Sequence, residues 1–509
     1  MTDSVEIGLG SILAARASIS VAEPALTFEG RTLTYGAFAG RVRRLAQGLR
    51  NLGVCRGDRV GYLGFNHPAF LETLYAAASI GAVFVPINFR LTGPELEYIV
   101  NDAGVHSLIV DDRLADTVGA IADTLVCRQL ITAESGRSGW HSLDGLIERS
   151  SDLPAVEAVG SDDVAIIMYT SGTTGRPKGA MLTHGNLFWN DVNLGLTGAI
   201  DAPVSLTCAP LFHIGGLNVT TLGSIARGAH IILEREFDPG QVLADLQTYR
   251  VGTLFGVPAM FLFISQHPDF QNADLSHLKT LVAGGAPVPE PQIRLFLERG
   301  VNFLQGYGLT ETAPMALLLP AGSARDKVGS AGLPPMYTQV KVAGEGGAPL
   351  GPGERGEICI RGPNVMRGYW NRPEATAEAI DTEGWFHSGD IGYRDEDGFF
   401  YICDRVKDMV ISGGENVYPA EVESVIYAHP AVAEVAVIGL PDEKWGEAVA
   451  AVVALKPGQT LELEALREFA GASLARYKLP RQLHTVDELP RNPAGKVLKY
   501  RLREALAGD

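Results

Sequence analysis

Between about residue 40 and residue 320, segments with a helical apolar stripe alternate with short runs that are apolar throughout. Arg41–Leu52 precedes Arg59–Gly64, and Glu95–Ala103 precedes Ser107–Asp111. Further on, Pro239–Tyr249 precedes Gly252–Gly256, and Glu290–Arg299 precedes Val301–Leu304. Such short runs suit strands better than helices, and apolar side chains on both faces need cover on both faces. Helices between successive strands supply that cover, so the pattern implies βαβ units and parallel sheet. At 509 residues the chain has length for roughly three domain-sized units and a large buried core. No repeat of fixed period is visible.

From about residue 325 glycine and proline become dense, and short alternating runs appear at Gln339–Val342, Gly356–Ile360 and Gly398–Ile402. These read as a small antiparallel β unit. Gly351-Pro-Gly-Glu-Arg-Gly356 has the spacing of a dinucleotide fingerprint. A proline lies inside it and a strand follows where that fingerprint needs a helix, so the reading is rejected. Beyond the charged segment Asp404–Asp408 the pattern shifts to helix (Pro419–His429), strands (Val435–Gly439, Ala448–Leu455) and helix (Leu461–Arg476).

The chain has 42 basic and 59 acidic side chains, a net charge of −17, which argues against a nucleic-acid or anionic-membrane partner. Five scattered cysteines without CxxC spacing suit a reducing, cytoplasmic setting. The N-terminus lacks the basic stretch of a signal peptide. The longest apolar stretch, Leu74–Phe89, is broken by Ser79, Gly81 and Pro86. It reads as a buried helix followed by a strand rather than an integral membrane segment.

Residues 169–179 read Tyr-Thr-Ser-Gly-Thr-Thr-Gly-Arg-Pro-Lys-Gly. Hydroxyls of Thr170, Ser171, Thr173 and Thr174 lie among Gly172, Gly175 and Gly179, with Lys178 as a counter-charge. Glycines let backbone N–H groups turn inward and hydroxyls add donors, so the loop suits a polyphosphate. It is not a Walker A motif: Arg176-Pro177 separates Gly175 from Lys178, and Gly179 follows the lysine. An apolar run, Val164–Met168, precedes the loop as a buried strand, and Ala180–Leu187 follows as a short strand leading into a helix.

These eleven residues resemble the signature of the adenylate-forming enzymes, which include acyl-CoA synthetases, plant coumarate–CoA ligases, firefly luciferase and peptide-synthetase adenylation domains. The resemblance covers essentially the whole chain. It implies an α/β fold with a large N-terminal domain, residues 1–405, made of parallel-sheet subdomains plus a small β-barrel at about 325–405. A hinge at 406–408 and a small mobile C-terminal α+β domain at 409–509 would follow.

In Gln305-Gly-Tyr-Gly-Leu-Thr-Glu311, Gly306 and Gly308 would let a flat base lie against backbone, with Tyr307 stacking on it. Glu311 offers the oxygen that Mg²⁺ prefers beside phosphate oxygens. Standing alone, the segment could be a glycine-rich strand exit. The resemblance makes Thr310 a phosphate contact and Glu311 the metal ligand. It also makes Gly284, Gly285 and Ala286 the adenine strand, and Asp390 the ribose ligand with Arg405 beside it and Lys407 at the hinge. A carboxylate suits two ribose hydroxyls because it accepts both hydrogen bonds.

His213, in Pro210-Leu-Phe-His-Ile-Gly-Gly-Leu-Asn218, reads alone as a core histidine. By resemblance it borders the acyl pocket and orients or gates the acid, with Ile214, Gly215, Asn218, Gly308, Pro314 and Met315 as further lining. Plant coumarate ligases carry tyrosine where Gly215 stands, so Gly215 and Gly216 are expected to widen this wall.

Lys496, in Pro493-Ala-Gly-Lys-Val-Leu-Lys499, reads alone as part of a solvated basic tail. It resembles the family's C-terminal catalytic lysine. An ammonium bridging a carboxylate and an ATP α-phosphate relieves their repulsion and the charge of the transition state. Thr170, His213 and Glu311 complete the expected catalytic set. Gly413 and Gly414 leave room for a pantetheine arm; in resembling aryl-CoA ligases the position of Gly414 lines the thiol tunnel, Trp445 stacks on the CoA adenine, and Tyr477-Lys478 lies near the CoA nucleotide.

Together these imply an ATP-dependent carboxylate–CoA ligase of two steps, adenylation and then thioester formation, using ATP, Mg²⁺ and CoA. The expected acid is a hydroxycinnamate such as ferulate or coumarate, with a medium- or long-chain fatty acid as alternative. An adenylation-only protein that loads a carrier is the alternative class. Partners are a small carboxylic acid and no nucleic acid, with homodimer formation left open.

Overall fold

Two eight-stranded sheets carry the larger part of the chain. One runs Met315–Leu318, Asn302–Gly308, Thr280–Ala283, Thr253–Gly256, Val204–Thr207, His230–Leu233, Pro24–Phe28, Arg31–Thr34. Its interior pairings are parallel and its two outermost are antiparallel. The second runs Gly368–Tyr369, Lys178–Thr183, Val164–Thr170, Val83–Ile87, Arg59–Leu63, Val105–Val110, Gln129–Thr132, His141–Ser142. Every residue of Val83–Ile87, Val105–Val110 and Thr280–Ala283 is buried, as continuous apolar strands between helical layers require.

This computed structural model describes residues 7–154, 157–170, 176–285, 288, 290–405, 410–417, 419–490, 497 and 499–506. They form two compact units: 1–89, 100–169 and 179–404 in the first, and 90–99, 170–178 and 405–509 in the second.

Local chemistry explains the element ends. The stretch from Leu74 resolves into the helix Pro68–Ser79 and the strand Val83–Ile87. Gly81 between them takes φ +68°, a left-handed turn that side chains resist. Thr183 caps the helix His184–Leu196 in a reciprocal box with Asn186. Asp238 accepts from the Gln241 N–H to start Pro239–Thr248.

The β-rich part is a four-stranded antiparallel sheet ordered Gln339–Ala343, Gly356–Arg361, Phe386–Arg394, Phe400–Arg405. Phe400 on its outer strand bridges to Gly332. Gly356 opens a strand, in keeping with rejection of a dinucleotide motif. In the second unit, Val432–Asp442 and Gly446–Leu455 pair antiparallel, and Gln482–Thr485 adds in parallel. Val437, Val449, Val453 and Leu466 form its core with Val422 and Leu474. The helix expected to reach Arg476 spans only Leu463–Gly471, after which the chain turns to bury Leu474 and Lys478. Among the described residues no helix is long and apolar enough to cross a membrane, and Cys55, Cys127, Cys208 and Cys359 are free thiols.

Candidate active site

In open α/β sheets, ligands gather at the carboxyl ends of the strands. In the first sheet those ends carry Pro210–His213, Gly284–Gly285 and Gly306–Gly308. Gly285 takes φ +86°, and the Gly284 N–H donates to Gly256 at 3.2 Å. A Cβ on Gly308 would lie 1.7 Å from the Pro314 carbonyl oxygen, and one on Gly306 would lie 2.9 Å from Met315 Sδ. The antiparallel return Met315–Leu318 therefore needs Gly308 whether or not a base is bound, whereas at Gly306 only the flexible end of Met315 lies close.

The Tyr307 hydroxyl donates to Asp390 at 2.7 Å. Asp390 is 2% exposed, and its backbone N–H donates to Ser388 Oγ at 3.0 Å. One residue earlier the Gly389 N–H donates to Glu357 at 3.0 Å, and Glu357 pairs with His387 at 2.8 Å. The carboxylate expected at the ribose is thus held by a tyrosine across the site and a braced turn beneath it. Thr310 opens a single 3₁₀ turn, Thr310–Thr312. Glu311, within it, is 8% exposed and accepts the Tyr369 hydroxyl at 2.8 Å. A carboxylate that shares its metal with phosphate oxygens and water is how Mg²⁺ is commonly held, so the donor chemistry at Glu311 fits that ion.

His213 stands just before the short helix Ile214–Asn218, half-buried, its ring 4.4 Å from that of Phe212. Asn218 is buried and donates to the Ala313 carbonyl at 2.6 Å. Asn190 donates to the Asn218 carbonyl at 2.7 Å and accepts from the Met315 N–H at 3.1 Å. The helix is thereby tied to the Pro314–Met315 wall. The expected widening at Gly215 and Gly216 does not occur. A Cβ on Gly215 would lie 2.6 Å from Phe255 Cζ, so the phenyl ring fills that space. A Cβ on Gly216 would lie 2.4 Å from the Pro210 carbonyl oxygen, so this glycine serves close backbone packing.

In the second unit, Thr170 Oγ1 donates to the Lys178 carbonyl at 3.4 Å. Gly413 and Gly414 have φ +61° and +81° and join the strands Val410–Ser412 and Glu415–Val417, with Ser412 opposite Glu415. Positive φ at both central residues is the demand of a type I′ hairpin, which explains the glycine pair without a ligand. Trp445 packs on Gly413, and the Arg481 guanidinium lies 3.8 Å from its ring centroid. Lys478 is placed differently from a surface nucleotide contact. It is 2% exposed and bonds Glu95 and Glu421, each at 2.7 Å. Burial opposes its charge, but the two carboxylates outweigh that and raise its pKa. Burial likewise pushes the neighbouring Tyr477 phenol up.

Ser171, Gly172, Thr173, Thr174, Gly175, Ala286, Lys407 and Lys496 lie outside the described residues, as does the side chain of Arg405. Sequence reasoning missed Phe255, Tyr369 and Asn190. A sign of Asn190 was its place with Asn186 and Asn193 at helical spacing on the buried face of His184–Leu196; for the other two only the fold supplies the partner.

A family model described as AMP-binding enzyme matches residues 13–370, and one for the AMP-binding enzyme C-terminal domain matches 421–496. The feruloyl-CoA synthase of an Amycolatopsis species is 48% identical over 97% of this chain and 98% of its own length. A long-chain-fatty-acid–CoA ligase of Mycobacterium tuberculosis is 42% identical over 93% of each. The solved o-succinylbenzoate CoA synthetase of Bacillus subtilis, 32% identical, superposes with a TM-score of 0.87 over 97% of this chain and 98% of that one. The chain belongs to the AMP-binding enzyme family, as an AMP-forming acyl-CoA synthetase.

Proposed function

We propose that the acid activated by this synthetase is a hydroxycinnamate such as ferulate or coumarate. The observation that carries the reading is the 48% identity to a feruloyl-CoA synthase across almost the entire chain. The Phe255 ring between Gly215 and Gly284 supports it by offering an aromatic wall. In the first step the acid's carboxylate oxygen attacks the ATP α-phosphorus, and pyrophosphate leaves. In the second the CoA thiolate attacks the acyl carbon, and AMP leaves.

In this reading the loop from Thr170 to Gly175, with Lys178 and Thr310, binds the phosphates. Gly284, Gly285, Ala286, Gly306, Tyr307 and Gly308 frame the adenine. Asp390, with Arg405 and Lys407, takes the ribose side. Glu311 would hold Mg²⁺, which when bound neutralises phosphate charge. His213 orients the acid. Lys496 serves adenylation, Gly413 and Gly414 serve the thiol, and Trp445 and Tyr477 serve the CoA nucleotide.

The test is pyrophosphate release at saturating ATP and CoA over cinnamates, benzoates and fatty acids. Ferulate or coumarate is expected to give the highest kcat/KM. A kcat/KM for dodecanoate tenfold above that for ferulate overturns the reading. The second reading, a fatty-acyl ligase, then takes its place, supported by the 42% identity to a long-chain ligase.

A further inference from the structure

Glu357 and Cys359 stand two residues apart in the strand Gly356–Arg361, so an extended chain points both to one face of the β-rich sheet. Cys359 lies opposite His387 in the antiparallel ladder with Phe386–Arg394, while Glu357 lies opposite Ile391. The register shifts between these two pairs, and such irregularities re-aim side chains. The result is a group of three donors of different chemistry. His387 Nδ1 lies 2.8 Å from Glu357 Oε2 and 3.6 Å from Cys359 Sγ, and that sulfur lies 4.0 Å from Glu357 Oε2. Cys359 is buried, whereas Glu357 and His387 are half-buried.

We propose that Glu357, Cys359 and His387 form a binding site for Zn²⁺, with water as the fourth ligand. A tetrahedral zinc with its usual bonds to sulfur, nitrogen and oxygen spaces neighbouring donor atoms about 3.4–3.6 Å apart. The three separations here straddle that range, so side-chain shifts of roughly half an ångström complete the tripod. A thiolate, an imidazole and a carboxylate together suit zinc, whereas Mg²⁺ and Ca²⁺ take oxygen ligands. On binding, Zn²⁺ replaces the Cys359 thiol proton, which passes to solvent, and takes the Nδ1 lone pair of the neutral imidazole. The other ring nitrogen, Nε2, faces Asp381 Oδ2 at 3.6 Å, the carboxylate–histidine–metal order that fixes the orientation of a metal-binding ring. Asp381 is itself held, because its Oδ1 accepts the Glu383 and Trp385 N–H groups, each at 2.9 Å. Lys341, the neighbour of Cys359 on the adjoining strand, has its ammonium engaged by the Gly347 carbonyl at 3.0 Å and by the Trp385 ring. Glu357 Oε1 accepts the Gly389 N–H at 3.0 Å, so zinc on Oε2 ties both strands to the turn that precedes Asp390.

The experiment strips the full-length protein with a chelator, restores Zn²⁺, removes the excess and measures bound metal and Tm. It compares the wild type with Cys359→Ala, His387→Gln and Asp381→Asn. The wild type is expected to hold one zinc more per chain than Cys359→Ala or His387→Gln, and to gain Tm on zinc addition where those two do not. Asp381→Asn keeps the oxygen that accepts from Glu383 and Trp385, and is expected to weaken zinc binding by about 10- to 100-fold. Co²⁺ in place of Zn²⁺ should give a thiolate-to-metal absorption band that Cys359→Ala lacks. Zinc content equal in the wild type and in either ligand variant overturns the proposal and makes any bound zinc adventitious. So does a cobalt-loaded wild type without the thiolate band. His387→Gln changes a half-buried side chain, so it decides the matter even where the cavity left by Cys359→Ala prevents folding. None of these readouts involves ATP or the acid, so the site is judged apart from the hydroxycinnamate reading.

Discussion

The Tyr307 hydroxyl and the Asp390 carboxylate are 83 residues apart in sequence and 2.7 Å apart in space. A neutral donor on a buried carboxylate contributes about 1.5–3 kcal/mol. It also fixes the direction in which the carboxylate offers its remaining lone pairs. Tyr307→Phe keeps a ring for the adenine and removes only that restraint. The expected result is a KM for ATP raised by about tenfold, with kcat changed less than threefold. Combining it with Asp390→Asn should give less than the sum of the two effects, because the pair acts as a unit. Additive effects would show that the bond does not position the carboxylate.

Glu234 supplies a pH prediction away from the site. It is 6% exposed, and neither carboxylate oxygen has a hydrogen-bond partner among the described residues. Burial, with Asp245 and Asp238 adding repulsion, pushes its carboxyl up to about 9 from the usual 4.5. The folded chain therefore keeps a proton that the unfolded chain releases. Stability falls as pH rises from about 4.5 to about 9, at up to ~1.4 kcal/mol per pH unit. Glu234→Gln removes this slope, although its buried amide brings a pH-independent cost. Thermal unfolding from pH 5 to 8 should show the variant gaining steadily on wild type. A difference in Tm that does not vary with pH would refute the assignment.

The sheets were legible because burial on both faces writes itself into sequence locally, as in Val83–Ile87 and Val105–Val110. The passage from strand to helix within Ala180–Leu187 was legible too, and the structure adds the cap between Thr183 and Asn186 that starts the helix. What escaped depends on strand order. Phe255 reaches Gly215 only because Thr253–Gly256 lies beside Val204–Thr207, and no local pattern announces that neighbour. Tyr369 reaches Glu311 across 58 residues in the same way. A glycine misled at Gly215, where the Phe255 ring fills space expected to be open. A missing side chain marks a close approach without saying whether ligand, ring or backbone makes it.

Lys496 is expected to serve one half-reaction alone. Lys496→Ala should lower pyrophosphate release by about a hundred- to a thousandfold, the usual effect of losing one preorganised charge contact at a transition state. Supplied with purified acyl-adenylate and CoA, the same variant should form thioester at close to the wild-type rate. Equal loss in both steps would mean that the lysine holds the fold or the nucleotide rather than the adenylation transition state.

Lys478 separates two accounts of the same motif. As a CoA contact, its removal would raise the KM for CoA and leave stability unchanged. In the structure its ammonium is sealed between Glu95 and Glu421. Breaking a buried ion pair by removing one partner costs about 3–5 kcal/mol, because the opposite charge stays buried without compensation. Here two carboxylates would be left together. Lys478→Met should therefore lower the denaturant midpoint markedly. The triple variant Lys478→Met/Glu95→Gln/Glu421→Gln should recover much of the loss, since the unpaired charges go with the lysine. Neither variant should raise the KM for CoA more than threefold once folded. A tenfold rise in that KM with an unshifted midpoint would instead place the lysine on the nucleotide.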